Sequence, residues 1–160
     1  MKLSRAQLAS IFKDQLFEIE TANLFHQSIR FKDRFVKCIL SCSPIDFGFE
    51  IFGTYSVRIK YNCDRCTASF DKEVRDSLTL WCLTKIIDLK NKDIEVFYMK
   101  NKNDIIDLGL ILSDLISLNR PIKILCNNNC KGICICCGTN LNSGVCQKNQ
   151  IKSYHHSHDF

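Results

Sequence analysis

Seven of the eleven cysteines sit at short, ligand-like spacings: Cys63 and Cys66 in C-D-R-C, then Cys126, Cys130, Cys134, Cys137 and Cys146 in CNNNCKGICICCGTNLNSGVC. The first pair alone is ambiguous, because C-x-x-C also serves redox catalysis. The second run turns the reading towards metal. Structural zinc takes four soft ligands in a tetrahedron, normally assembled from two such pairs that the fold brings together. Residues 126–146 are otherwise cysteine, asparagine and glycine with little to bury, so they need an ion to be ordered. Gly138, directly after Cys137, fits a knuckle because it turns the backbone sharply without a side-chain clash. Gly132 and Gly144 fit the same role. Free buried thiols and redox-active cysteines are the competing readings.

Redox compartment decides between metal and disulfides. The start, MKLSRAQLASIFKDQL, breaks any secretory core with Lys13 and Asp14, and no stretch reaches the length of apolar sequence that spans a bilayer. A reducing interior, with neither secretion nor membrane insertion, is therefore expected. The formal charge of +5 and a pI near 8.6 favour an acidic partner such as RNA. Zinc held by four thiolates offsets part of that charge. The lean towards Ile, Lys, Asn and Phe reads as codon bias of an AT-rich bacterial or plastid genome.

The 160 residues suit one domain with a real core. Thr54 to Tyr61 alternates, with Tyr55, Val57, Ile59 and Tyr61 on one side, and predicts a half-buried strand. It runs into the Cys63–Cys66 turn, from which Phe70 to Leu83 returns, giving a hairpin with a knuckle at its tip. Val36 to Cys42 and Ile94 to Met99 are further strand candidates. From residue 107 the spacing becomes helical, with Leu108, Ile111, Leu112 and Leu115 at i, i+3, i+4 and i+7. Asp104 or Asp107 is placed to cap this helix, and it stops before Asn119 and Arg120, ahead of Pro121. Ser4 to Gln7 is a candidate capping box. The predicted fold is α+β: an antiparallel β-sheet with one or two packed helices and a cysteine-rich zinc-binding C-terminal module. A single domain over 1–148 is expected, with a β-rich core to 120 (its helix near 107–118), the zinc module over 121–148 and a flexible tail over 149–160.

Cys38, Cys42 and Cys82 lie outside ligand spacing and read as small buried hydrophobes, while Cys136 is ambiguous. His26 and the tail histidines His155, His156 and His158 supply no evident catalytic partner for a cysteine.

The pattern C-x3-C-x-G-x-C-x2-C-G-x2-L-N-x3-C, running from Cys126 to Cys146 through Leu141 and Asn142, resembles the YceD family of large ribosomal RNA subunit accumulation proteins. The upstream C-D-R-C after a strand resembles it too, as does the order of a helix beginning Asp107-Leu108-Gly109, a proline and the cysteine run. The resemblance covers about residues 50 to 148. It implies a non-enzymatic role in processing or accumulation of large-subunit ribosomal RNA, with that RNA or a ribosomal or assembly protein as partner, in a bacterial cytoplasm or plastid stroma. Family sequences usually continue C-x-C at the end, where this chain has Lys148.

Beside that resemblance, Cys63 and Cys66 are paired with Cys126 and Cys130 as one complete zinc site. Family members that lack the last cysteines keep ligand types near these positions. Cys134, Cys137 and Cys146 are left as a second site lacking a fourth ligand, for which Cys136, a tail histidine or water are the candidates. The rival pairing joins Cys63 and Cys66 to Cys134 and Cys137.

Arg58, Lys60 and Arg65 along one strand and its knuckle, with Lys123 and Lys131 beside the other pair, are the candidate RNA contacts. Ordinary solvated side chains are the alternative. A C-x-x-C thiol-disulfide oxidoreductase and a zinc-stabilised protein-only adaptor are the competing functions. The oxidoreductase requires an exposed low-pKa thiol, usually at a helix N-terminus, whereas this pair follows a strand.

Overall fold

The computed structural model describes residues 1–24, 29–86 and 94–146. The chain forms two compact units, one comprising Met1–Ile59 with Lys72–Arg120, the other Lys60–Asp71 with the chain from Pro121 on.

The larger unit is α+β. Its sheet is made by β2 (Gln15–Glu20), β4 (Phe35–Ile45), β5 (Gly48–Asn62), β6 (Ser69–Leu83) and β7 (Glu95–Tyr98), in that order, with the short β3 (Arg30–Phe31) paired to β5. β4 and β5 turn over Asp46 and Phe47, with Ile45 opposite Gly48 and Lys37 opposite Ser56. Alternation explains the pairing: Tyr55, Val57 and Ile59 of β5 are buried together with Val36, Cys38 and Leu40 of β4, while Thr54 and Arg58 face solvent. β5 and β6 run on past Ile59 and Lys72 into the smaller unit, where they carry the knuckle.

β2 with β4 and β4 with β5 pair antiparallel. β7 pairs with β6 in parallel, Leu80 opposite Glu95 and Leu83 opposite Tyr98. The N-terminal segment is more ordered than its pattern suggests. β1 (Lys2–Ser4) pairs antiparallel with β8 (Ile105–Asp107). Ser4 then caps α1 (Arg5–Ala9) through the reciprocal box: Gln7 N donates to Ser4 Oγ at 3.4 Å and Ser4 N to Gln7 Oε1 at 2.9 Å.

Asp107 begins α2 (Leu108–Leu118), its Oδ1 accepting from Gly109 N at 2.9 Å. Asp104 instead accepts from Asn101 N at 2.8 Å. The buried stripe of α2 is Leu108, Ile111, Leu112 and Ile116; Leu115 is half-buried and Leu118 lies open. At the C-cap, Asn119 Nδ2 donates to Tyr55 Oη at 2.9 Å and to Asp76 Oδ2 at 2.5 Å, tying the helix end to β5 and β6. Cys38, Cys42 and Cys82 are core residues, at most 2% exposed. Burial pushes the Cys38 and Cys82 thiols up to about 12, so both stay protonated and inert.

The smaller unit has a different core. Among its described residues the buried apolar ones are Tyr61, Ile124 and four cysteines: Cys63, Cys66, Cys130 and Cys134. Ala68, Phe70, Leu125 and Cys126 pack around the first three of those cysteines, with the Phe70 ring 6.0 Å from that of Tyr61. Sulfur stands where a folded unit of ordinary composition would place Leu and Ile. The tail 149–160 and the residues His26, His155, His156 and His158 lie outside the described residues.

Candidate metal centre

The knuckle between β5 and β6 is fixed by its backbone. Cys63 N donates to Ala68 O and Thr67 N to Cys63 O, each at 2.9 Å, and Thr67 takes a left-handed φ of 57° to close the turn. The segment after α2 comes to it through Asp64, whose N donates to Ile124 O at 2.8 Å and whose Oδ2 accepts from Ile124 N at 2.6 Å. Arg65 adds two bonds from the other end of the turn: Nη1 donates to Cys130 O at 3.1 Å and its carbonyl accepts from Ile133 N at 3.1 Å.

These bonds bring four sulfurs together. The Sγ atoms of Cys63, Cys66, Cys126 and Cys130 all lie within 4.8 Å of one another. Cys63 to Cys130 and Cys66 to Cys126 are each 3.7 Å apart. A tetrahedron with metal–sulfur bonds of about 2.3 Å has sulfur–sulfur edges of about 3.8 Å, so the cluster has the dimensions of a tetrathiolate site. A disulfide, at about 2.0 Å, is far shorter. The four cysteines can hold a metal ion, and the arrangement brings Cys63 and Cys66 to Cys126 and Cys130 rather than to Cys134 and Cys137.

The protonation pattern fits the same use. Burial works to raise the Cys63 thiol, but backbone N–H groups of Cys126, Cys66 and Arg65 outweigh it and hold that thiol at about 6. Burial also raises Cys130, where the Asn142 amide and the Gly132 N–H prevail and bring it down. Cys66 is raised despite the Ala68 amide, and Cys126 goes to about 12 through burial and the neighbouring Cys130, Cys66 and Cys63 sulfurs. Four thiolates this close repel one another, and a bound cation would balance them. Metal binding here releases protons.

Asn142 supports the site from outside, a role its place in the motif did not reveal. Its Nδ2 donates to Cys130 Sγ at 3.4 Å and to Asn140 Oδ1 at 2.8 Å, and its Oδ1 accepts from Lys131 N at 2.9 Å. Removing such an outer partner typically costs about 10–100-fold in metal affinity. Asn142→Ala is expected to weaken the four-cysteine site by that factor in a chelator competition; unchanged affinity would leave the hydrogen bond incidental.

Cys134, Cys137 and Cys146 form a second group, their Sγ atoms also within 4.8 Å of one another. Cys136 is exposed and belongs to neither group. Of the candidate RNA contacts, Lys60, Arg65, Lys123 and Lys131 are exposed residues of the smaller unit, and Arg58 is exposed in the larger. Arg58 is already engaged: its guanidinium meets the Asp33 carboxylate at 2.9 Å and 3.0 Å and its N–H donates to the same group. No helix among the described residues is long and apolar enough to cross a membrane.

A profile of the family described as "Large ribosomal RNA subunit accumulation protein YceD" matches residues 51–157, about two thirds of the chain and both cysteine groups. The chain belongs to the YceD family. A maize protein named "Large ribosomal RNA subunit accumulation protein YCED homolog 1, chloroplastic" is 45% identical over 38 residues, which is 24% of this chain and 13% of the relative. The chain thus matches only a small part of that YceD relative's length. No solved structure matches it.

Proposed function

We propose that this YceD protein is a non-enzymatic factor in the accumulation or processing of large-subunit ribosomal RNA, built around a structural zinc ion held by Cys63, Cys66, Cys126 and Cys130. The observation that carries the reading is a family match that spans a tetrahedrally sized set of four sulfurs, three of them on buried cysteines. Zinc suits an all-thiolate, closed and redox-silent site. The ion would fix Arg65, Lys123 and Lys131 around one rigid point, next to Lys60 at the strand end. Such cations bind phosphates, giving affinity with modest sequence preference. The family name and the maize relative's description suit a plastid stroma or bacterial cytoplasm.

The test is binding of large-subunit ribosomal RNA transcripts across a salt series. Every phosphate that is no longer neutralised should lower the slope of log affinity against log salt by roughly 0.7–0.9. Lys60→Ala and Lys131→Ala are each expected to weaken binding and flatten that slope by one such step. Binding that ignores both salt and these variants would remove RNA as the partner.

A protein-only adaptor is the second reading, favoured by the open apolar side chains of the smaller unit: Ile122, Ile135 and Val145 are at least 65% exposed. A thiol-disulfide oxidoreductase is disfavoured by access. Cys63, whose thiol is held at about 6, is 2% exposed and surrounded by three further sulfurs, so an incoming thiol cannot reach it.

A further inference from the structure

We propose that Cys134, Cys137 and Cys146 are ligands of a second zinc site, more exposed than the first, from which the ion exchanges faster. The inference concerns cysteines other than those of the proposed structural ion and stands or falls separately.

The first argument is that the Cys134–Cys137 turn repeats the Cys63–Cys66 turn bond for bond. Cys134 N donates to Thr139 O at 2.8 Å, as Cys63 N does to Ala68 O; Gly138 N donates to Cys134 O at 2.9 Å, as Thr67 N does to Cys63 O. The residue after the second cysteine is left-handed in both, φ 73° at Gly138 and 57° at Thr67. Two segments of unrelated sequence adopt one ligand-presenting turn. In the first, the turn delivers two sulfurs to a four-sulfur cluster; the second delivers Cys134 and Cys137 in the same way.

The second argument is the return of the chain. Leu141 N donates to Gly132 O at 2.9 Å, and Ser143 N and Gly144 N both donate to Asn140 O. This tight turn carries Cys146 back to the knuckle, and Cys137 and Cys146 Sγ stand 3.8 Å apart, the edge of a zinc–thiolate tetrahedron. Thr139 Oγ1 lies 3.3 Å from Cys137 Sγ, an outer polar neighbour of the kind that steadies ligand sulfurs.

The third argument is contrast. In the four-sulfur cluster Cys63, Cys66 and Cys130 are at 2–4% exposure and only Cys126 is half-buried, whereas in the second group Cys134 is 9% exposed and both Cys137 and Cys146 are half-buried. Among the described residues this group offers three ligand atoms. Zinc enclosed by four protein thiolates is structural, while a more exposed set of ligands lets a competing donor approach the ion. An ion at the more exposed group is the easier of the two to hand over.

The test uses the full chain, saturated with zinc and freed of excess by gel filtration. Metal per chain is read by elemental mass spectrometry, and release to a colorimetric chelator is followed in time. Two zinc ions per chain are expected, leaving in two phases of equal amplitude, one fast and one slow. Cys134→Ser and Cys146→Ser should each abolish the fast phase and keep the slow one, whose retention shows that the unit is still folded. Cys136→Ser should keep both. One ion in the saturated parent, a single release phase, a fast phase that survives Cys134→Ser, or its loss in Cys136→Ser would each overturn the proposal.

Discussion

Replacing Cys63 by serine is expected to cost the chain its tightly held metal ion and to unfold the smaller unit, whereas serine at Cys82 leaves metal content unchanged. The two cysteines are equally hidden, at 2% and 0% exposure, so burial does not separate them. Function does. Cys63 Sγ is one vertex of the four-sulfur cluster, and among its described residues the smaller unit buries sulfur, Tyr61 and Ile124 rather than an aliphatic core. With zinc bound as proposed, a unit of that kind would draw its folding free energy from the ion, which contributes on the order of 10 kcal/mol or more in zinc-finger peptides at neutral pH. Cys82 sits in the sheet, its thiol kept protonated by burial and by the nearby Cys42. A serine hydroxyl there lacks the partner it needs in an apolar core, and costs about 1–3 kcal/mol. Elemental analysis and proteolysis separate the cases. Full metal content in Cys63→Ser, or its loss in Cys82→Ser, would refute the ligand set.

Much of this was legible in sequence because a cysteine pair on a turn carries its geometry with it. Cys63-Asp64-Arg65-Cys66 has room for one kind of tight turn, and the alternation from Thr54 to Tyr61 located the strand beneath it. The association of distant pairs was less legible. Asp64 selects it, through two bonds to the Ile124 backbone that no spacing encodes. Asn142 was hidden for a similar reason, since its role depends on a sulfur twelve positions away. In the larger unit, β2 escaped detection because Leu16 is apolar yet exposed while Ile19 is buried, so the alternation that marks a strand is blurred. The parallel pairing of β7 was not readable at all: Glu95–Tyr98 has the same composition whichever way it runs, and direction depends on the connection that precedes it. In α2 the stripe ended on Ile116 instead of Leu115, one residue round the helix, because both satisfy the helical repeat within its tolerance.

Leu112→Ala should be the mirror image of the cysteine result, destabilising the larger unit while leaving the metal in place. Leu112 is wholly buried in the stripe of α2, with Leu108 and Ile116 on the same face. Truncating a leucine in such a position removes its transfer free energy and leaves a cavity that neighbours fill only in part, for about 2–5 kcal/mol. Leu118, on the same helix but 81% exposed, should cost within about 0.5 kcal/mol when changed to alanine. Denaturant unfolding followed by far-ultraviolet circular dichroism measures both, since the sheet and α2 supply most of that signal. Metal content measured beside it supplies the control. The described residues of the two units bury different side chains, aliphatic in one and mainly cysteine in the other, so a substitution aimed at one source of stability should spare the other. Loss of zinc from Leu112→Ala would mean that the four-cysteine site depends on the sheet's packing, and the smaller unit could no longer be regarded as ordered by its ion.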